Sequence, residues 1–316
     1  MSHIFDALQR SEAERSGGEP SSFALATELL QAAEEKMRAQ DLSQSAVEEQ
    51  PLSFAAAPAP APYVVDAPGI GDPLSQFESV PVIIPADNRL VSISREESLG
   101  AEKFRFLGVR LRQLQQTRQL KKVLITSTIP QEGKSTVAAN LACTLARRKQ
   151  HKTLLLEGDL RRPTVARQFG LGNRPGICEW LKGSSRTMNI YRLESLGLWV
   201  FPAGRTPENP LELMQSGKLP PLMEQLTAWF DWVIIDSPPV LPLADTSMWA
   251  RLADGILLVT RQGVTEKKQL QRGLEALEKT KLLGAIVNSS TDAAHSDYYQ
   301  RYGPTASSPE VPQAGK

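Results

Sequence analysis

The 316-residue chain contains no apolar run near the roughly 20 residues that cross a bilayer, and its opening, MSHIFDALQR, lacks the apolar stretch of a secretory signal. A cytoplasmic chain is therefore expected. Cysteine is scarce: Cys143 and Cys178 sit in the helical patterns NLACTLA and ICEWLKG, without the paired spacing of a metal site, and read as buried thiols. A charge bias is also missing. With 36 Lys+Arg against 35 Asp+Glu, overall charge favours neither nucleic acid nor a membrane surface as a partner. Outside the C-terminal tail the histidines are His3 and His151, and neither has triad or metal spacing. No internal repeat is present. What remains is the composition of an ordinary globular protein with one sizeable core.

Hydrophobic patterning divides the chain. Residues 1–40 carry two polar helical patterns, about 2–15 and 22–40, with Ile4, Phe5 and Leu8 as a small apolar stripe on the first. Residues 41–88 are rich in Ala, Pro and Ser, and the repeated prolines deny them helix and sheet hydrogen bonds, so a disordered tether is expected. From about Leu90 a helical pattern through GAEKFRFLGVRLRQLQQ puts Phe104, Leu107, Leu111 and Leu114 on one side. Apolar strand candidates then follow at 123–126, 153–157, 198–201, 232–236, 255–260 and 282–288, mostly separated by helical segments. This alternation predicts an α/β domain, a mainly parallel sheet between layers of helices, over 89–290. Residues 291–316 are polar and read as a flexible tail.

Within that domain, KKVLITSTIPQEGKSTVAANLA has the order strand, tight loop, amphipathic helix that phosphate binding requires. Loop amides and the positive end of the helix starting near Gly133 can wrap phosphate oxygens. Lys134 adds a cation, and a hydroxyl of Ser135 or Thr136 can reach Mg²⁺. A GKST alone is a weak signal. WVIID strengthens it, placing Asp236 at a strand's carboxyl end, where open α/β sheets collect ligands and where Mg²⁺ needs a carboxylate. The ligands expected are ATP and Mg²⁺. A further segment, TLLLEGDLRRP, puts Glu157, Asp159, Arg161 and Arg162 in the loop after the second predicted strand, as a functional loop or as a surface turn laced with ion pairs.

Together, ITSTIPQEGKST, LLLEGDLRRP and WVIIDSPPVLPLAD resemble the three Walker-type motifs of bacterial tyrosine kinases, which are protein kinases on a P-loop NTPase-type three-layer fold. The likeness spans about 89–303, and the MSHIFDALQRSEAER start is similar to soluble members encoded with exopolysaccharide export systems. By position, the resemblance implies Lys134 as the phosphate-binding lysine, Ser135 as the Mg²⁺ hydroxyl, Asp159 and Asp236 as the acidic residues that hold Mg²⁺ with it, and Asn288 on the adenine side. Asp159 would help deprotonate the substrate tyrosine. Tyr298, Tyr299 and Tyr302 resemble a short autophosphorylation cluster; aromatics packing a last turn onto the domain is the other reading. The implied partners are further copies of the chain and a membrane activator of the polysaccharide co-polymerase, chain-length-determinant type, so that the membrane is reached only through a partner.

Four departures are visible. Thr128 occupies the position usually held by Gly or Ala at the loop start, and Glu157 replaces an aspartate, with its charge on a longer arm that would shift metal geometry. In the family's E-x-x-R-x-x-R oligomerisation pattern, Glu102 and Arg105 match but Gly108 stands at the second arginine. The tyrosine cluster is small. A ParA/MinD-type ATPase shares the fold, but its extra early lysine is replaced here by Ile129. A nucleotide-responsive adaptor that transfers no phosphate is the other competing reading.

Overall fold

A computed structural model of the chain describes residues 72–289, except positions 83, 86, 87, 149, 186, 242 and 243. The strands are β1 (Glu78–Val80), β2 (Lys122–Ser127), β3 (Thr153–Glu157), β4 (Tyr191–Leu193), β5 (Leu198–Phe201), β6 (Trp232–Asp236), β7 (Gly255–Arg261) and β8 (Leu282–Asn288). Among the described residues they form one sheet, ordered β1-β4-β5-β3-β6-β2-β7-β8. Every neighbouring pair is parallel except β4 with β5. The helices are α1 (Val91–Ser94), α2 (Leu99–Thr117), α3 (Lys134–Ala146), α4 (Val165–Gln168), α5 (Ile177–Lys182), α6 (Pro210–Met214), α7 (Leu219–Trp229), α8 (Asp245–Leu252) and α9 (Lys267–Glu275).

Strand alternation sorts the core into two layers, because successive side chains point to opposite faces. Leu124, Leu154, Leu156, Val233 and Ile235 pack on one side with Leu222, Leu226 and Trp249. Val123, Ile125, Leu155, Trp232 and Ile234 pack on the other with Leu111, Leu141 and Leu145. The central strands are therefore continuous apolar runs buried on both faces, as a parallel sheet demands. At the edge, β8 alternates between half-buried and exposed residues over its second half.

Helix α3 lies between the sheet and α2, and every residue from Val137 to Ala146 is buried. Small side chains make that possible. Helix α2 begins at the Ser98 cap, whose hydroxyl accepts from the Ala101 amide at 3.2 Å, and it buries Leu111 with Phe104, Leu107 and Leu114 half-buried on the same cluster. Gly108 belongs to this packed face: a Cβ there would sit 3.4 Å from Thr144 Cγ2 and 3.7 Å from Leu145 Cδ2. The position where the oligomerisation pattern has its second arginine is thus taken by helix packing.

The structure corrects the extent of the proline-rich tether. Ordered structure starts before residue 88, with a short turn at Pro73–Gln76 and β1 paired to β4. Leu74, Phe77 and Val80 are buried there, three apolar anchors within a stretch whose prolines dominate the pattern. The remaining expectations for the N-terminal segment, and those for the tail, fall on residues outside the described ones. No helix among the described residues is long and apolar enough to cross a membrane.

Candidate active site

All the parallel strands of the sheet centre end at one edge. The register pairs Ile125 with Asp236 and Asp236 with Glu157, so β2, β6 and β3 deliver their carboxyl ends side by side. After Ser127 the chain turns through TIPQEG into α3, with Gly133 at φ +90° as the residue before the helix. That left-handed conformation suits glycine, and a Cβ would also collide with the Asn288 amide nitrogen. The first turn of α3 then presents unpaired amides to the edge of the sheet, a setting that favours anions.

The loop is braced from within. Glu132 is fully buried; its Oε2 accepts from the Ile129 amide at 2.8 Å and its Oε1 accepts from the Thr265 hydroxyl. Thr265 Oγ1 in turn accepts from the Arg261 amide at 2.9 Å, and Asn288 Nδ2 donates to the Glu132 carbonyl at 2.8 Å. The ends of β7 and β8 therefore fix the shape of the loop that follows β2.

Around the loop the charged groups converge. Lys134 Nζ lies 2.8 Å from Asp159 Oδ2 and 3.3 Å from Ser135 Oγ, while Asp159 Oδ1 accepts from the Arg162 amide at 3.0 Å. Burial opposes the charge of Lys134, but the carboxylates of Asp236 and Asp159 outweigh it, and the ammonium holds its proton more tightly than usual. Asp236 is 1% exposed, and neither carboxylate oxygen has a well-formed hydrogen bond among the described residues. Burial pushes its carboxyl up to about 6, against the opposing pull of the Lys134 ammonium and the nearby Ser135 hydroxyl. A buried carboxylate left without donors is costly, and a cation beside it removes the cost. Lys134, Ser135 and Asp159 open on a cleft of about 510 Å³, lined also by Gly133, Thr136, Arg161 and Arg162. Phosphate oxygens fit the amides and Lys134, and a divalent cation fits Asp236 with the Ser135 hydroxyl.

Glu157 behaves differently from its neighbours in the motif. Its Oε1 accepts from the Thr164 amide and, at 2.6 Å, from the Val165 amide, and its Oε2 accepts from the Ala203 amide at 2.9 Å. The longer arm reaches away from the cleft and ties α4 to the loop after β5, so it does not enter the geometry of a cation at Asp236. Burial outweighs the three amides and puts this carboxyl at about 7. Arg161 is also spoken for, in a two-point pair with the buried Asp245 at 2.6 and 3.1 Å.

No protein-family model matches the chain. Individual relatives do. The tyrosine-protein kinase YwqD of Bacillus subtilis (strain 168) is 40% identical over 212 residues, which cover 66% of this chain and 89% of that protein. The putative tyrosine-protein kinase CapB of Staphylococcus aureus is 32% identical over 214 residues, 66% of this chain and 92% of that protein. The chain belongs to the bacterial tyrosine-protein kinases. Solved structures agree: the chimerical protein CapA2B2 superposes with a TM-score of 0.60 at 31% identity, covering 68% of this chain and 93% of that one. The kinase domain of Escherichia coli tyrosine kinase ETK gives 0.59 at 25% identity, with 68% and 91% covered.

Of the residues singled out in this bacterial tyrosine kinase, Gly133, Lys134, Ser135, Thr136 and Asp159 line one cleft, and Asp236 is buried next to Lys134 and Ser135. Asn288 borders the loop, with Nδ2 on Glu132 and Oδ1 accepting from the Ser289 amide at 2.9 Å. Tyr298, Tyr299 and Tyr302 lie outside the described residues. Sequence reading missed Glu132, Thr265 and Asp245. A carboxylate directly before Gly133, between an apolar strand and an apolar helix, was the available signal for the first.

Proposed function

We propose that the chain is an ATP-dependent protein-tyrosine autokinase of an exopolysaccharide or capsule export system, transferring the γ-phosphoryl group to Tyr298, Tyr299 and Tyr302 of a neighbouring copy. The carrying observation is Asp236: a carboxylate buried without a well-formed hydrogen bond among the described residues, beside Ser135 and Lys134, the lysine of the Lys134–Asp159 pair, at the strand end next to the phosphate loop. Loop amides and Lys134 hold the phosphates and offset the charge that spreads over the transferring group. Asp236 and Ser135 would hold Mg²⁺, which supplies charge neutralisation and orientation of the phosphates. Asp159 is within reach of the same cleft and accepts the tyrosine proton, or orients the hydroxyl, once Lys134 turns toward phosphate. Asn288 keeps a place on the base side only through its second amide hydrogen, the first being bonded to Glu132.

The remainder of the chain fits that role as a cytoplasmic enzyme reaching the membrane through a chain-length-determinant-type activator. Residues 1–40 and the proline-rich stretch after them serve as attachment and tether, and 291–316 as the substrate tail. Incubation of the purified protein with Mg-ATP, with and without the activator segment, followed by intact-mass analysis, tests the proposal. Phosphate additions in multiples of 80 Da on the tail are expected, and none from Lys134→Ala. Nucleotide binding without any phosphate addition, activator present, would favour the adaptor reading instead.

A further inference from the structure

A second cavity, of about 1130 Å³, adjoins the nucleotide cleft between α4, α5 and the loop after β5. Arg167 lines both, so the two cavities share one side chain as a wall. The wall of the larger cavity holds two carboxylates and several cations, but the carboxylates are already spent on backbone. Glu157 accepts from three amides, and Glu179 accepts from the Gly176 amide at 2.7 Å and the Arg205 amide at 3.0 Å. Arg174 is paired with Glu78 at 2.7 Å and lies over the Tyr191 ring. By contrast, the side chains of Arg167, Lys182 and Arg205 make no hydrogen bond or ion pair with any described residue. Arg167, Lys182 and Arg205 line one concavity without an ion-pair partner among the described residues, while the oxygens of its two carboxylates are turned to backbone amides. Three such cationic heads form a site for a ligand carrying concentrated negative charge.

We propose that this cavity binds phosphotyrosine in the tail of another copy of the chain, holding an already modified tyrosine while a second one enters the nucleotide cleft. The inference rests on the kinase reading above and names how its substrate is held. Charge selects the modified tail. Residues 290–316 contain Asp292, Asp297 and Glu310 against Arg301 and Lys316, a net of one negative charge from three minus two. Each phosphate adds about −1.5 to −2. Reach also fits: Tyr298 and Tyr302 lie four positions apart, at most about 14 Å of extended chain, the scale of two cavities sharing one wall. Guanidinium groups suit the ligand because they meet phosphate at two points.

The test uses the full-length protein, treated with phosphatase and saturated with ADP so that no transfer occurs. Binding of a fluorescent peptide spanning residues 292–304 is followed by anisotropy, with no phosphate, with phosphate on Tyr302, and with O-phosphotyrosine as competitor. The phosphopeptide is expected to bind roughly tenfold more tightly than the plain one, and Lys182→Ala with Arg205→Ala to remove most of that difference. ADP affinity and melting temperature should stay at wild-type values in this double variant, since neither residue lines the nucleotide cleft. Equal binding of plain and phosphorylated peptides, or phosphopeptide binding undiminished in the double variant, overturns the proposal. Failure of the kinase reading would appear separately, as absence of phosphate in the mass analysis, whatever the peptide does.

Discussion

Asp236 is a carboxyl buried beside Lys134 and Ser135, with no well-formed hydrogen bond to either oxygen among the described residues. Its carboxyl titrates near 6, against an ordinary value of 3.8, with burial the main cause. The sign follows directly. The folded chain binds this proton more tightly than the unfolded chain, so the associated stability is complete below the unfolded value and is lost as pH rises through about 6. Between pH 5 and pH 8 that loss is about 1–2 kcal/mol. Asp236→Asn removes the titration. Urea unfolding of nucleotide-free protein at the two pH values is expected to show the wild type losing that amount relative to the variant; parallel pH profiles would refute the assignment. Glu157 is displaced in the same direction in both proteins, but part of its displacement comes from the Asp236 charge and is lost in the variant, so the difference between the profiles reports Asp236 together with that coupling. Cation binding runs the opposite way, since it needs the ionised form, so Mg-nucleotide affinity in the wild type should fall as pH drops through about 6.

At the scale of elements, the phosphate loop is shaped by strands that follow it late in the chain. Glu132 and Thr265 form the link, and removing either leaves a buried group of the other unsatisfied. Glu132→Ala and Thr265→Val are each expected to weaken ADP binding roughly tenfold, with a coupling of about 1–2 kcal/mol in the double-mutant cycle by calorimetry. Additive effects would mean that the two act separately. Helix α2 gives a second element-scale prediction. Gly108→Ala should stabilise by about 0.5–1 kcal/mol, because a Cβ there meets only ordinary contacts. Gly108→Arg, which restores the family pattern, should destabilise by about 1–3 kcal/mol through overpacking against α3. Thermal unfolding compares them, and an arginine variant as stable as the alanine one would show that the packed face yields. These elements also explain what the sequence could reveal. The six strands β2, β3, β5, β6, β7 and β8 are apolar runs and were readable, whereas ESV and YRL in β1 and β4 are three residues each and are strands through tertiary pairing, β1 with β4 and β4 with β5. Lys134 and Asp236 were legible because their motifs are local. The Glu132 brace was not, since its partners lie 133 and 156 residues further along the chain.

At the scale of the whole molecule, the proposed function turns on which active site the tail would enter. Strand β8 ends at Asn288, already in contact with the phosphate loop, and Tyr298 follows ten residues later. An extended chain of that length spans at most about 35 Å, enough for its own cleft or a neighbour's. Transfer between copies is favoured by turnover. A tail that leaves one copy to be modified by another returns each cleft to nucleotide exchange, and phosphate accumulated beyond the single group that the cavity of Arg167, Lys182 and Arg205 holds, about −1.5 to −2 per tyrosine, then repels the acidic groups of the assembly. Arg301 offsets only part of that charge. The expected outcome is that phosphorylation occurs in trans and loosens the oligomer. Mixing a Lys134→Ala chain with an active chain in which Tyr298, Tyr299 and Tyr302 are replaced by Phe separates the routes, because only transfer between copies can then label a tail. Phosphate on the inactive chain, followed by a shift to smaller species in analytical ultracentrifugation, supports both halves. An unlabelled tail on an inactive chain shown to associate with its active partner rejects transfer in trans, and an unchanged sedimentation profile after confirmed labelling rejects the loosening alone.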